Sequence, residues 1–331
     1  LDAAALLYTH YWSMWLLAAL GLVLVWMIWR STDREARRRA ALVLGALVVG
    51  ALAFVPWLPT MLYQSKHTAT PWAPPMRPTS ALSVTFADLG GWGYGEQTLA
   101  AILVATLVLL GVFGRARSRT ITELDLRTRR QLRAEALIAG LAFAIGVCIS
   151  FVLKGAYASR YASIVLPLVV LLMAGGLTRF RDRRTTFAVA AVACLLLSVG
   201  AYWNTRDNRT QMGRIGEKVA AVAAPGDVVV FCPDQLGPAG MRAMPDGLFY
   251  VSYPSLGDPR FVDWVDYKDR NDAADPAEIG ARIQVLAGSH AIFLVENGAY
   301  RTFENDCEAL MASLAVGRTG EQLDADDGEH Y

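Results

Sequence analysis

The sequence predicts a multi-pass α-helical membrane protein with a small α/β domain after its last spanning helix. Three observations predict this. Six long apolar runs fill residues 1–203. The loops between them alternate between arginine-rich and arginine-poor. After Trp203 the pattern shifts to short strand-like and helical segments in an acidic background.

The chain has 331 residues, of which 54% are hydrophobic and 18% charged. A soluble protein usually carries about 25% charge. The formal net charge of +1 hides a split. Residues 1–203 hold 20 Lys/Arg against 9 Asp/Glu, a net of +11, and residues 204–331 hold 11 against 21, a net of −10. Such asymmetry implies two regions in different surroundings. It is no nucleic-acid signal, because the basic residues sit in short clusters between apolar runs.

A spanning helix needs about 20 mostly apolar residues. Ala3–Trp29, Ala41–Tyr63, Gln97–Gly114, Ala136–Leu153, Tyr161–Thr178 and Thr185–Trp203 qualify, and none contains Asp, Glu, Lys or Arg. A soluble core helix would be shorter and carry a polar stripe. Arg30–Arg39, Arg115–Arg133 and Arg179–Arg184 hold five, seven and four arginines. The intervening loops, Gln64–Glu96 and Lys154–Arg160, hold one Lys and one Arg each. The positive-inside rule makes the arginine-rich loops cytoplasmic and everything after Trp203 extracytoplasmic, at a plasma membrane. Tyr8, Tyr11, Trp12, Trp26, Trp29, Trp57, Tyr63, Tyr202 and Trp203 collect near helix ends, as interfacial anchors do. Pro56 and Pro59 either kink the second helix or end it near residue 58. Ala81–Leu89 is expected as a short interfacial amphipathic helix.

In residues 204–331 the expected elements are a helix over Gln211–Ala224, strands over Asp227–Cys232, Leu248–Tyr253 and Ala291–Glu296, a helix to Leu286 begun by Asp275 and Pro276, and a helix over Glu304–Val316. Asp275 with Glu278 three residues on forms an N-cap pattern. Strands alternating with helices predict a layered α/β unit with a largely parallel sheet. Cys148 and Cys194 lie in apolar runs. Cys232 and Cys307 lie in the polar half, where an oxidising compartment would permit a disulfide, but sequence does not show whether they meet. No cysteine or histidine spacing marks a metal site.

Leu7-Tyr8-Thr9-His10-Tyr11-Trp12 opens the first apolar run. Val55-Pro56-Trp57-Leu58-Pro59, Arg160-Tyr161 and Leu166-Pro167-Leu168 follow in order, and the polar half carries Pro225-Gly226-Asp227-Val228 and Asp263-Trp264-Val265-Asp266-Tyr267. Together these resemble the later transmembrane portion and extracytoplasmic domain of GT-C fold glycosyltransferases. The nearest likeness is to the family 39 type, which includes protein O-mannosyltransferases and lipid A aminoarabinose transferases, in actinobacterial form. The resemblance implies a GT-C-like bundle and transfer of a sugar from a polyprenyl-phosphate donor to an acceptor glycan, lipid or protein outside the membrane, with no cofactor. It also implies a general base in an acidic loop upstream of Leu1, so that this chain is expected to be part of a longer protein and inactive alone. Cationic groups would stabilise the leaving phosphate.

Arg160 and Tyr161, where the fifth span begins on the outer side, are the first candidates for the donor phosphate, because guanidinium forks onto phosphate oxygens. Lys154 and Lys66 are the second. Each could equally be an interfacial flank whose head snorkels to water. Substrate-contact candidates are His10, with Tyr11 beside it, His67, Trp72 and Asp88. An ionisable group near membrane depth points to function, and His trades protons near neutrality. Structural alternatives are a satisfied histidine, and a capping or solvated role for Asp88. Gln64–Glu96 is expected as a long loop with sugar- or lipid-facing Trp72 and Trp92. Asp263, Asp266 and Asp269 are candidates for acceptor recognition. Asp324, Asp326, Asp327, Glu329 and His330 read as a solvated tail. The rival readings are a transporter or channel subunit, which would carry charges at mid-membrane, and a membrane-anchored binding module.

Overall fold

The computed structural model describes residues 1–67, 76–91, 95–127, 131–153, 157–206, 210–297 and 305–324. The chain divides into two compact units. The first comprises Leu1–Met61 and Pro74–Asp207, and the second Leu62–Ala73 and Asn208–Tyr331.

The first unit is helical: α1 (Asp2–Thr9), α2 (Ser13–Arg30), α3 (Arg34–Leu52), the start of α4 (Leu58–His67), α5 (Pro78–Leu89), α6 (Glu96–Phe113), α7 (Arg133–Val152), α8 (Leu166–Leu177) and α9 (Arg183–Arg206). Among the described residues, six helical segments are long and apolar enough to cross a membrane. α2, at 18 residues, spans about 27 Å, close to the hydrocarbon thickness of a bilayer. Leu42, Val49, Ile102, Leu109, Val152 and Leu195 are exposed on these helices, as lipid-facing positions are. The interior is built from small residues, among them Ala19, Ala100, Ala139 and Ala142. α6 and α8 approach so closely that a Cβ on Gly111 would lie 2.1 Å from the Leu172 carbonyl oxygen, and one on Gly176 at 2.1 Å from that of Leu107. In lipid such backbone approach replaces the hydrophobic drive that is missing between helices.

Three spans depart from the expected boundaries. Ala3–Trp29 is not one helix. The chain breaks at His10, which is extended, and restarts at Ser13. No Gly or Pro marks the break. Instead the His10 Nδ1 accepts the Trp12 N–H at 3.1 Å and the His10 carbonyl accepts the Ser13 N–H at 2.9 Å, so the freed groups are paired locally. In the second run the kink reading holds: a 3-10 turn over Val55–Trp57 interrupts the helix, which resumes at Leu58. Trp57 N–H turns to the Phe54 carbonyl, and the released Ala53 carbonyl accepts the Tyr8 hydroxyl at 3.0 Å. The fifth span opens with a 3-10 stretch over Ser159–Val165 before α8.

The arginine-rich loops gather at one end of this unit. Arg133 lies over the Trp26 ring at 5.1 Å, Arg119 is 4.0 Å from Asp182, and Thr122 donates to the Arg179 carbonyl. A small antiparallel hairpin, β1 (Gly114–Ala116) and β2 (Thr122–Leu124), stands in the second of these loops; no strand is expected there from sequence. α3 begins in arginines and is started by Asp33, whose carboxylate accepts the Glu35 N–H at 2.9 Å. Asp182 does the same for α9 through Thr185, and that backbone hydrogen bond holds its carboxyl below the usual range.

The second unit contains α10 (Met212–Val222), β3 (Val228–Cys232), α11 (Gly237–Ala243), β4 (Phe249–Ser252), α12 (Tyr267–Asp272), α13 (Pro276–Ala287), β5 (Ile292–Glu296) and α14 (Asp306–Leu314). The sheet order is β4-β3-β5, all parallel. β3 is buried along its whole length, and its side chains alternate between two layers. Val228, Val230 and Cys232 face Ile279, Ile283, Leu310 and Leu314 of α13 and α14. Val229 and Phe231 face Met212 and Leu236 on the opposite side. That period-2 division is why a continuous apolar run reads as a central strand. Asp275 caps α13, accepting the Ala277 and Glu278 N–H groups at 2.8 and 3.4 Å. Cys232 and Cys307 form a disulfide between β3 and α14. Asp227 is buried and structural: its carboxylate accepts the N–H groups of Ala224 at 2.8 Å and Ala291 at 2.9 Å, fixing the entries to β3 and β5.

Candidate functional site

At the end of the first unit opposite its arginine-rich loops, an aromatic and polar cluster forms from the helix breaks themselves. The interruption at His10–Trp12 turns those side chains toward the segment leading into α8. The His10 ring lies 5.9 Å from that of Tyr161. Because His10 Nδ1 already accepts the Trp12 amide, the neutral imidazole carries its proton on Nε2. The Trp12 ring lies tilted against both Tyr161, at 5.3 Å, and Tyr157, at 5.5 Å. The indole also lies so near α7 that a Cβ on Gly146 would be 2.5 Å from it; only glycine leaves the ring its place.

Arg160 is exposed, and its guanidinium carbon is 5.8 Å from the centre of the Tyr161 ring. The cation rests against an aromatic face while its N–H groups remain available to solvent or to an anion. The preceding residue, Ser159, donates its hydroxyl to the Asp88 carboxylate of α5. Asp88 is exposed at the last turn of α5, and it neither caps a helix nor stands solvated alone. One turn earlier on the same helix, buried Thr85 meets the Tyr157 hydroxyl at 2.5 Å. Burial raises the Tyr157 phenol above its ordinary range; the Thr85 hydrogen bond opposes this and the Asp88 charge adds to it. Among the described residues the cluster therefore presents the Arg160 guanidinium, the Asp88 carboxylate, the His10 imidazole and several aromatic faces on a rim.

The structure brings together His10, Asp88, Arg160 and Tyr161 of the residues singled out from sequence. Among the described residues, Tyr11 makes contacts elsewhere. The Tyr11 oxygen accepts the Trp57 indole N–H at 2.9 Å and its ring meets Phe54, so it braces α1 against the kink in the second span. Lys66 and His67 belong to the second unit. They are not in a loop, as expected, but in the last turn of α4. His67 stacks on Tyr63 at 4.2 Å, and its Nδ1 is 2.7 Å from the Asp266 carboxylate. The Asp266 N–H also donates to the His67 carbonyl at 2.8 Å. Asp266 takes a left-handed conformation, which aspartate tolerates better than most residues. Lys66 is exposed, with no partner for its ammonium among the described residues. Lys154, Trp72 and Trp92 lie outside the described residues.

Against family models, curated proteins and solved structures, the chain finds no match. Its chemistry is therefore read from the side chains.

Two of the three aspartates proposed for acceptor recognition are occupied inside the fold. Asp263 pairs with Arg270 at 3.2 Å, and Asp266 with His67. Asp324 is not part of a solvated tail: it binds Arg214 at 2.8 Å and Lys218 at 2.7 Å. Asp326, Asp327, Glu329 and His330 lie outside the described residues. Among the described residues no group of three His, Cys, Asp or Glu is placed to hold a metal ion. Thr85, Tyr157 and Ser159 went unnoticed in the sequence. The signal that would have found Ser159 is its position beside Arg160 at the start of a span.

Proposed function

We propose that this chain belongs to a glycosyltransferase that takes its sugar from a polyprenyl-phosphate donor and transfers it at the outer face of the plasma membrane, on a GT-C-like bundle. The observation that carries the reading is the convergence of Arg160, His10 and the Ser159–Asp88 pair at the end of the bundle away from the arginine-rich loops. A lipid-linked donor presents its phosphate at membrane depth, where a guanidinium held on a tyrosine face can fork onto two oxygens. That contact strengthens as charge moves to the leaving phosphate, so it favours the transition state over the ground state. The His10 Nε2–H is a second donor for the same group. Asp88, with Ser159 donating to it, is suited to orient an acceptor hydroxyl. The general base is assigned to no residue of this chain.

The topology belongs to the same proposal: arginine-rich loops in the cytoplasm, second unit outside. The Cys232–Cys307 disulfide supports it, since such bonds persist in oxidising compartments. The apolar character of the spans argues against a transporter, which needs ionisable groups at the midplane.

The test is transfer of radiolabelled sugar from a polyprenyl-phosphate donor by the full-length protein in membranes. Arg160→Ala should lower kcat/KM by about 100-fold, the loss of one charge-assisted contact of roughly 3 kcal/mol. Arg160→Lys, which keeps charge but not the fork, should recover only part. Turnover unchanged in Arg160→Ala at equal expression removes the residue from the site.

A further inference from the structure

A cleft of about 360 Å³ opens between α2 and α3 in the first unit, beside the first arginine-rich loop. The short connection makes it: α2 ends at Arg30 and α3 starts at Arg34, so the last turns of one helix lie beside the first turns of the other. Leu24 and Met27 line the cleft from α2, and Ala36, Ala40 and Val43 from α3. Ala36 and Ala40 stand one turn apart on a single helix face. With no side-chain atom beyond Cβ, they leave the space between the helices unfilled. Leu24 and Ala40 are buried, while Met27 and Val43 are exposed, so the cleft is closed inward and open along the flank of the pair. Both helices are long and apolar enough to span a membrane, and in a bilayer that flank faces lipid. The volume falls at the lower end of ligand sites, which run from about 300 to 1,000 Å³.

The polar end of the cleft is of mixed sign. Asp33, Glu35 and Arg39 line it, whereas Arg30, Arg34, Arg37 and Arg38 of the same stretch do not. Asp33 Oδ1 accepts the Glu35 N–H at 2.9 Å, and Glu35 Oε1 accepts the Arg39 Nε–H at 3.0 Å. Among the described residues these are the bonds that engage the three side chains, which leaves Asp33 Oδ2, Glu35 Oε2 and both Arg39 Nη groups open. The Arg39 and Glu35 side chains are 76% and 58% exposed, so all of these atoms are within reach of a ligand. An exposed pair of this kind contributes little by itself and yields readily to a group that engages both partners.

An apolar groove ending in charges of both signs fits a phospholipid whose head carries both. A glycerol head would set its one charge, a phosphate, between two carboxylates. A choline head brings a cation with no N–H to donate. An ethanolamine ammonium has three donors, as the lysine ammonium does, enough for the two open carboxylate oxygens, and its phosphate can fork onto the Arg39 Nη groups. We propose that the α2–α3 cleft binds one molecule of phosphatidylethanolamine, with its phosphate on Arg39, its ammonium on Asp33 and Glu35, and an acyl chain along Ala36, Ala40 and Val43. The inference rests on α2 and α3 lying in a bilayer and not on the transferase reading.

The test is titration of the delipidated full chain in detergent with dioleoyl phosphatidylethanolamine, phosphatidylglycerol and phosphatidylcholine, read by native mass spectrometry as the apparent affinity of the first bound lipid. Phosphatidylethanolamine should bind at least fivefold more tightly than either of the others. Asp33→Asn combined with Glu35→Gln keeps a capping oxygen at the start of α3 but removes both charges, and should bring phosphatidylethanolamine within twofold of phosphatidylcholine. Ala36→Leu fills the cleft at a half-buried position and should weaken phosphatidylethanolamine at least fivefold; if it fails to fold, the charge variant decides. Phosphatidylethanolamine no tighter than phosphatidylcholine in the native chain overturns the proposal. A preference for phosphatidylglycerol overturns it as well, and assigns lipid affinity to the positive field of the arginines alone. A phosphatidylethanolamine preference that survives the charge variant puts the lipid elsewhere on the bundle and overturns it too.

Discussion

Replacing Asp234 by Asn removes a carboxyl that folding has taken out of water. In the folded chain burial lifts it from 3.8 to about 6, so the folded state binds that proton more tightly than the unfolded state. Below about pH 4 both states hold the proton and stability carries no penalty from this group. As pH rises through the window from about 4 to 6 the unfolded chain ionises first, and stability falls. Above about pH 6 both are ionised and the deficit is constant. A shift of about two units corresponds to roughly 3 kcal/mol. Asn keeps an oxygen to accept the Tyr267 hydroxyl but makes a weaker, neutral hydrogen bond, which returns about 1 kcal/mol. The net expectation at pH 7.5 is a gain of about 2 kcal/mol in Asp234→Asn, with a flat stability profile from pH 4 to 6 where the native protein declines. The assay is hydrogen exchange of the β3 amides in the full chain, as protection factors corrected for intrinsic rates at each pH. Protection in the native protein that rises from pH 4 to 6, or a variant less protected at pH 7.5, would refute the reasoning, because either means the carboxylate is stabilised where it sits.

Close packing of α6 and α8 makes Gly111→Ala costly: its Cβ would lie 2.1 Å from the Leu172 carbonyl oxygen. Overpacking of this kind costs about 1–3 kcal/mol, and the thermal midpoint of the detergent-solubilised protein should fall by several degrees; an unchanged midpoint would show that the helices are not in contact there. The disulfide closes a loop with a sequence separation of 75 residues, so Cys307→Ser should destabilise the second unit by about 4 kcal/mol in chemical denaturation. The same cysteines report sidedness. Cys232 and Cys307 should resist maleimide in intact cells until reductant is added, and free labelling without reductant would count against an oxidising location.

Much of this protein was legible in local sequence. The spans follow from length and apolarity alone, because lipid asks only that backbone groups pair within each helix and that side chains be apolar. The central strand Val228–Cys232, the Asp275 cap and the alternation of strands with helices were equally readable, since each depends on neighbours a few residues away. Two outcomes were beyond reach for one reason. Hydropathy averages over a window, so it could not see His10 break a helix without Gly or Pro, nor decide whether Pro56 ended the second span or bent it. The His10 break pairs its freed groups locally, through its own imidazole and carbonyl, whereas at the Pro56 kink tertiary packing supplies the Tyr8 hydroxyl for the Ala53 carbonyl and braces Trp57 against Tyr11. Packing likewise set Ser159 on Asp88, Tyr161 beside His10, Cys232 against Cys307 and Tyr267 on Asp234. These pairs are separated by tens to hundreds of residues. Their meeting depends on how elements stack in three dimensions, which no periodicity along the chain encodes.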